Sequence, residues 1–253
     1  MPILDPWFYV VAIPAVLIAG IGKTGFGGGL GVIAVPLLAL AISPVQAAAI
    51  MLPILCVMDL FGIWAFRRNW DGRNVALMVI GSIFGIAFGT VTFGYVSPDV
   101  IRIMVGCLAI AFTLRHWFGR GLEGRPKSIG NPVLGIVAGA VSAYGSFVAH
   151  AGGPPAQAFL LPQRMEKSRF VGTTVVYFFI INFLKIIPYG MIGQWTPETL
   201  LTAMVLAPLA PLGVWMGFRV LRLVPEKPFY RFVYLLLFAI GIKLLWDGGT
   251  ALL

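Results

Sequence analysis

The chain has 253 residues, of which 59% are hydrophobic and only 11% are charged, and its mean hydropathy is +0.95. Soluble domains contain about 45–50% apolar and about 25% charged residues, so a soluble enzyme or a nucleic-acid binder is excluded. Because lipid offers the backbone no hydrogen-bond partners, and the apolar runs are longer than barrel strands, the composition predicts an all-α multi-pass membrane protein. The net charge of +9 then reports mainly on which loops face the cytoplasm.

Ten apolar segments follow one another along the chain. They cover residues 7–22, 30–42, 44–66, 75–95, 98–118, 132–149, 153–162, 171–190, 198–218 and 229–247. Six of them are long enough to cross a membrane as a helix, which takes about 20 residues. These six are 44–66, 75–95, 98–118, 171–190, 198–218 and 229–247.

The other four segments are short and form two adjacent pairs. Glycine-containing stretches interrupt them, at residues 22–29 in the first pair and 150–155 in the second. Each pair is predicted to be a hairpin of broken helices. The sequence leaves open whether a pair crosses the bilayer twice or enters and returns.

The amino terminus and the cysteines carry little functional signal. Met1 to Pro6 contains no basic residue and does contain Asp5, so the first helix is expected to be retained rather than cleaved as a signal peptide. Cys56 and Cys107 both lie within apolar runs. They indicate neither a disulfide framework nor a metal site.

The basic residues predict the orientation of the chain. Fourteen of the 18 Lys and Arg residues fall in four patches, within residues 67–73, 115–127, 164–169 and 219–231. The connections at 43–44, 95–99 and 190–198 and both termini contain none. The positive-inside rule therefore places both termini outside, in the periplasm if the membrane is a bacterial inner membrane.

The two halves of the chain share one plan. Residues 1–118 and 132–253 each contain a glycine-broken pair followed by three full spans, and residues 119–131 form a basic cytoplasmic linker. Equivalent loops alternate between basic and neutral, so they lie on opposite faces, as an inverted-topology repeat requires. Gly85 and Gly89 echo Gly213 and Gly217, and we expect these glycines to serve helix packing.

In transporters with inverted repeats, broken helices from both halves meet near the membrane midplane, and their free N–H groups favour anions. Here the candidate helices start near Leu30 and Pro154. The glycines that would let the backbone approach a ligand are Gly27, Gly28, Gly29, Gly152 and Gly153.

Four basic residues lie away from the cytoplasmic patches, namely Lys23, Arg102, Lys185 and Lys243. Lys23, inside the first glycine run, could compensate the charge of an anion. Its replacement by Met is expected to weaken anion binding without affecting folding. Lys185 shares a helix face with Asn182 and could contact substrate or snorkel to water, whereas Arg102 and Lys243 are expected to be interfacial.

Asp59 is the one carboxylate that lies away from the ends of the predicted spans, so it is a candidate proton carrier, sodium ligand or lysine partner. His150 could donate to an anion, carry a proton or be purely structural. These two residues are the coupling candidates, with H⁺ or Na⁺ as the coupling ion or none at all. Neutral donors complete the predicted substrate-binding set: Thr24, Gln157, Thr173 and Thr174. No cofactor or metal is expected.

Two stretches, residues 20–38 (GIGKTGFGGGLGVIAVPLL) and 149–163 (AHAGGPPAQAFLLPQ), followed by residues 170–174 (FVGTT), resemble the TauE/SafE family, the TSUP transporters. The resemblance covers the whole chain. It implies secondary transport of a small anionic sulfur compound across the bacterial inner membrane, such as sulfite or a sulfonate like sulfoacetate. Sulfur specificity comes from the resemblance alone.

The predicted function is therefore a carrier that exports such an anion by alternating access, as a monomer or homodimer in the lipid bilayer. An anion channel and an uptake carrier for another small organic anion stay open as alternatives. A remote alternative is an intramembrane serine hydrolase, because Ser146 and His150 are four residues apart and would share a helix face.

Overall fold

The computed structural model describes residues 1–28, 31–93, 95, 97–118 and 130–252. All regular secondary structure in these ranges is helical, and several of the helices are long and apolar enough to cross a membrane. The predicted all-α membrane architecture is thus confirmed. Gly29, Leu30 and most of the predicted linker, residues 119–129, lie outside the described residues.

The helices match the ten predicted segments, with one segment divided in two. In chain order they are α1 (Pro6–Gly25), α2 (Gly31–Leu38), α3 (Pro44–Phe66), α4 (Gly72–Thr92), α5 (Pro98–Phe118), α6 (Pro132–Ala149), α7 (Gly153–Leu160), α8 (Lys167–Met191), α9 (Pro197–Leu206), α10 (Leu209–Leu223) and α11 (Glu226–Leu252). A short 3₁₀ turn, Leu161–Gln163, follows α7.

Local sequence explains where several helices begin. Asp5, Ser43, Asn131 and Thr196 each accept a hydrogen bond from a backbone N–H of the first helical turn, and a proline follows each of them. Asp71 caps α4 in the same way. Such residues satisfy N–H groups that have no partner inside the helix, and proline loses nothing at this position because its missing N–H would be unpaired there.

The division of the ninth segment corrects the prediction of an unbroken span over residues 198–218. The chain bends by 47° between α9, which ends at Leu206, and α10, which begins at Leu209. Pro208 lies at the break. Proline has no N–H, and its ring collides with the carbonyl four residues earlier, so it interrupts the helix.

The glycine-broken pairs are also less symmetric than predicted. Helix α1 has 20 residues and is long enough to cross the membrane, although its segment was predicted to be short. Helices α2 and α7 have eight residues each, and a helix of that length spans about 12 Å, well short of the hydrocarbon layer. Each pair thus combines a long helix with a half-length helix.

Two helix pairs pack closely in parallel between the halves, α4 with α6 and α1 with α10. Gly81 and Gly85 of α4 lie against Ile136 and Ala140 of α6, so residue numbers rise together along both helices. In α1 and α10 the corresponding contacts join Gly20 to Gly213 and Gly25 to Gly217. Small residues at these points let the backbones approach closely, as expected between membrane helices.

Two further pairs run antiparallel, α3 with α8 and α5 with α11. Gly62 lies against Val175, whereas Phe66, one turn later on α3, lies against the earlier residue Gly172 of α8. The same reversed order relates Gly106 to Gly241 and Asp99 to Gly248 in α5 and α11.

These directions bear on how the two halves are related. If the second half repeats the first, α3 corresponds to α8 and α5 corresponds to α11. A twofold axis along the membrane normal would make the two helices of each pair parallel. A twofold axis in the membrane plane would make them antiparallel, and both pairs are antiparallel. The inverted repeat stays a prediction, and the helix directions are those that it requires.

The packing of α4 against α6 predicts that Gly85→Ala lowers stability. An added Cβ would lie 2.2 Å from the Ala140 carbonyl oxygen, so the helices would have to move apart. Overpacking of this kind costs about 1–3 kcal/mol. We expect a lower midpoint of thermal unfolding in detergent. Gly249→Ala is the matched control, because nothing lies within 4 Å of that Cβ; equal midpoints for the two variants would contradict the packing role.

Candidate functional site

Both glycine-broken pairs turn sharply at the centre of the molecule. Helix α1 ends at Gly25, and Gly27 and Gly28 follow with φ of 64° and 83°. In the second half α6 ends at Ala149, and His150 adopts a left-handed conformation with φ of 51° before α7 begins at Gly153. Glycine accepts positive φ without steric cost, whereas a histidine there is uncommon.

A side chain of the second half holds the turn of the first half. The Gln157 amide nitrogen, on α7, donates to the carbonyl oxygens of Phe26 and Gly27, at 3.1 Å in both cases. These carbonyls lie just beyond the end of α1, where the backbone needs partners outside the helix. Gln157, a predicted substrate ligand, therefore has its amide N–H groups engaged in joining the two turns.

A cavity of about 40 Å³ lies between the two broken pairs. A single water requires about 10–15 Å³ measured in this way, so the cavity has room for roughly three water-sized groups. Its walls combine residues of both halves: Ala19, Lys23, Gly28, Gly31, Leu55, Ser146, His150, Gly153, Phe178 and Asn182.

Gly31 and Gly153 are the first residues of α2 and α7, so both half-length helices begin at the cavity, as the sequence predicted. Helix N-termini carry a partial positive charge. Several of the usual free N–H groups are missing here, because Pro154 and Pro155 have none and the Gly31 N–H donates to the Gly28 carbonyl oxygen at 3.2 Å. The two helix ends thus favour negative charge through their dipoles more than through free donors.

One side of the cavity carries a buried ion pair. The Lys23 ammonium lies 2.7 Å from an Asp59 carboxylate oxygen, and these side chains are 5% and 0% exposed. The other Asp59 oxygen accepts a hydrogen bond of 2.7 Å from the Asn182 amide nitrogen. Asp59 therefore has a lysine partner, one of the roles that the sequence allowed, and Lys23 has a counterion inside the protein.

A second buried lysine, Lys185, lies behind the lining residues Ser146 and His150 and is not itself one of the residues that line the cavity. The Lys185 ammonium donates to the Ser146 hydroxyl at 2.9 Å and to the Ser146 carbonyl at 3.2 Å. It also lies 3.4 Å from His150 Nδ1, while His150 Nε2 lies 3.0 Å from the Ala48 carbonyl oxygen. Nδ1 also lies 3.0 Å from the Ser146 carbonyl oxygen. A neutral His150 carries one ring proton, so it can donate to the carbonyl oxygen of either Ser146 or Ala48 but not to both.

The charges around the cavity do not cancel. Of the charged residues whose side chains the structure describes, three are buried, namely Lys23, Asp59 and Lys185. In their ordinary ionised forms they sum to one positive charge, and burying an unpaired charge is costly. An anion in the cavity would supply the missing counterion. The described residues contain no group of three or more His, Cys, Asp or Glu side chains that could hold a metal ion.

The geometry does not support the predicted pairing of Ser146 with His150 as nucleophile and base. The His150 ring nitrogens lie 3.0 Å from the carbonyl oxygens of Ser146 and Ala48, whereas nucleophilic catalysis needs the histidine to contact the serine hydroxyl. The Ser146 hydroxyl instead accepts from Lys185.

The other predicted site residues lie outside the set that lines the cavity. The hydroxyl of Thr24 donates to the Val214 carbonyl at 2.8 Å and joins α1 to α10. Thr173 bonds to the backbone of Asp71 and Arg169, and Thr174 donates to Val171 within its own helix. Gly27 lies in the first turn and Gly152 accepts from Ser142, both beside the cavity walls.

Several site residues were not predicted as ligands. Ala19, Gly31, Leu55 and Phe178 line the cavity, but apolar residues and glycines in a membrane helix carry no signal that separates lining from packing. Ser146 was considered only as a nucleophile. Its spacing of four residues from His150 indicated the shared helix face, but nothing in the sequence indicated Lys185 as its partner.

The ion pair changes what is expected of Lys23→Met. The sequence predicted intact folding, but this change leaves the Asp59 carboxylate buried with only the Asn182 amide. Removing one partner of a buried pair costs about 3–5 kcal/mol. We expect a clearly lower midpoint of thermal unfolding in detergent, with recovery in Lys23→Met/Asp59→Asn.

The matched control is Lys243→Met, which breaks a partly exposed pair with Asp247 and should shift the midpoint little. A Lys23→Met variant as stable as the unaltered protein would show that the pair contributes nothing to stability.

Comparison with known proteins agrees with this geometry. No curated protein and no solved structure matches the chain. A family model described as sulfite exporter TauE/SafE matches residues 12–244, a range that includes both broken pairs and all three buried charges. Exporter-type transport of sulfite or a related anion is the function of this class. The chain belongs to the TauE/SafE family of sulfite exporters, as its glycine-rich stretches predicted.

Proposed function

We propose that the protein is a secondary transporter that carries a small anionic sulfur compound, sulfite or an organosulfonate such as sulfoacetate, by alternating access. The uncompensated positive charge beside the cavity carries this proposal, because two buried ammonium groups share a single carboxylate. A bound monoanion brings the sum of the buried charges to zero. Membership of the TauE/SafE family supports sulfur as the element concerned.

The dimensions of the cavity favour the smallest candidate. A volume of about 40 Å³ holds roughly three water-sized groups, which is comparable with the oxygens of one sulfite ion. A sulfoacetate ion carries a second charged group as well as its sulfonate. It would therefore need the cavity to widen.

The proposed direction of transport is export across the bacterial inner membrane. In the proposed topology both termini lie in the periplasm. The inside-negative potential favours exit of an uncoupled anion by about 2.3 kcal/mol per charge per 100 mV. The distribution of basic residues between alternate loops supports this orientation.

A measurement of anion exchange distinguishes a carrier from a channel. A carrier with alternating access moves labelled sulfite faster when unlabelled sulfite is present on the other side, whereas a channel gives no such stimulation. We therefore test purified protein in proteoliposomes with labelled sulfite, and with sulfoacetate, sulfate and acetate as competitors. Absence of sulfite exchange would overturn the proposed function, and acetate competing as well as sulfite would overturn its sulfur specificity.

Lys185→Met should weaken this exchange, because the remaining Lys23 and Asp59 pair is neutral and no longer needs an anion. Lys185 lies behind Ser146 and His150, so it acts on the anion through its charge. Opposite charges about 8 Å apart attract by about 2 kcal/mol at an effective dielectric constant of about 20, so the half-saturating sulfite concentration should rise at least about tenfold. The measurement is the concentration dependence of labelled sulfite exchange.

Lys243→Met serves as the control, because it removes a lysine that already has the Asp247 carboxylate as its partner outside the cavity. It should exchange sulfite like the unaltered protein. If Lys185→Met were folded and had unchanged affinity, Lys185 would have no part in anion binding.

A further inference from the structure

The Asp59 carboxylate lies directly behind two polar side chains of the cavity wall. Lys23 and Asn182 line the cavity, and each of them contacts one Asp59 oxygen. Asp59 itself is 0% exposed. The protonation state of Asp59 therefore decides whether the Lys23 ammonium is held in an ion pair or is free to donate a hydrogen bond into the cavity.

The titratable groups near Asp59 come from several elements. Lys23 is on α1, Cys56 lies one turn earlier on α3, and Lys185 on α8 is close enough to interact electrostatically with Asp59. His150, beyond α6, contacts Lys185. Helix α2 has no titratable residue, and the charged residues of α9 and α10 are exposed: Glu198, Arg219 and Arg222.

An anion in the cavity and the Asp59 carboxylate compete for the same ammonium. While Asp59 is ionised, Lys23 is paired with it, and among the described residues Lys185 is the buried lysine without a carboxylate partner. If Asp59 takes up a proton, Lys23 loses its counterion, and both ammonium groups can serve the anion. Uptake of a proton by Asp59 and uptake of an anion by the cavity therefore favour each other.

We propose, on the basis of the proposed transport function, that Asp59 is the binding site of a co-transported proton. The proton comes from the aqueous compartment that loads the anion and forms the O–H of a carboxylic acid on Asp59. Lys23 keeps its own proton and donates to the anion. On release the anion leaves, the Asp59 O–H gives its proton to the receiving compartment, and the ion pair forms again.

The donors around Asp59 favour a proton over sodium. A sodium ion needs several oxygen ligands, but the groups that contact the two Asp59 oxygens are an ammonium and an amide N–H. A proton needs only one carboxylate oxygen. Transport of a monoanion with a proton carries no net charge, so the membrane potential would not drive it. Where the periplasm is the more acidic side, the proton gradient opposes export, and export would then require a sufficiently large outward gradient of the anion.

The test compares labelled sulfite movement in proteoliposomes by two measurements. The first is exchange with equal pH on both sides, and the second is accumulation driven by a pH difference of about one unit with the membrane potential held at zero. One proton per anion allows accumulation of up to about tenfold on the alkaline side. Protein-free liposomes give the passive contribution.

Asp59→Asn removes the proton site and keeps an amide of similar shape. We expect labelled sulfite still to exchange at equal pH, with tighter sulfite binding because the Lys23 ammonium no longer has a competing carboxylate. We expect accumulation no greater than in protein-free liposomes. Asp59→Glu should retain accumulation. The matched control is Asp247→Asn, which should behave like the unaltered protein. It alters the carboxylate of a partly exposed ion pair outside the cavity.

If Asp59→Asn does not fold because Lys23 is left unpaired, the double variant Lys23→Met/Asp59→Asn is used in its place. We expect this double variant to exchange sulfite more weakly and to show the same loss of accumulation. Accumulation retained without Asp59 would overturn the proposal, because the proton would then travel on the anion as hydrogensulfite. Exchange without accumulation in the unaltered protein would also overturn it. Absence of exchange in the unaltered protein would instead remove the proposed function itself.

Discussion

A charged side chain without a counterion is among the costliest groups that a membrane protein can bury, and such residues are usually functional. Lys23, Asp59 and Lys185 impose this constraint here, since two ammonium groups share one carboxylate away from water. The surrounding structure reduces the cost without removing it. Ser146 and Asn182 supply hydrogen bonds, and the N-terminal ends of two half-length helices lie at the cavity.

The same site joins the two halves of the chain. Asn182 of α8 contacts Asp59 of α3, and Gln157 of α7 holds the turn that follows α1. His150 lies against a carbonyl oxygen of α3. Relative movement of the halves must therefore alter the contacts of the buried charges, which links occupancy of the cavity to the arrangement of the helices. Glycine contacts between long helices provide close-packed surfaces on which such movement can occur.

Periodicity and composition were sufficient for the helices but insufficient for the contacts between them. Apolar runs predicted each helical segment, and glycine runs predicted both breaks that meet at the cavity. The break at Pro208 was missed, although proline supplies a clear local signal, because the hydropathy of residues 198–218 is continuous. Lys23 and Asp59 are 36 residues apart on different helices. No local pattern specifies that they pair, or that Ser146 receives a hydrogen bond from Lys185.

The predicted duplication does not extend to the buried polar side chains. Aligning Gly28 with Gly152 places Phe147 opposite Lys23 and Phe26 opposite His150, so neither polar residue has a polar counterpart. If a lysine near the axis of such a repeat were duplicated, it would face its own copy, and two ammonium groups would repel each other in a medium that screens them poorly. The helix directions thus agree with the predicted repeat, whereas Lys23 and His150 depart from it.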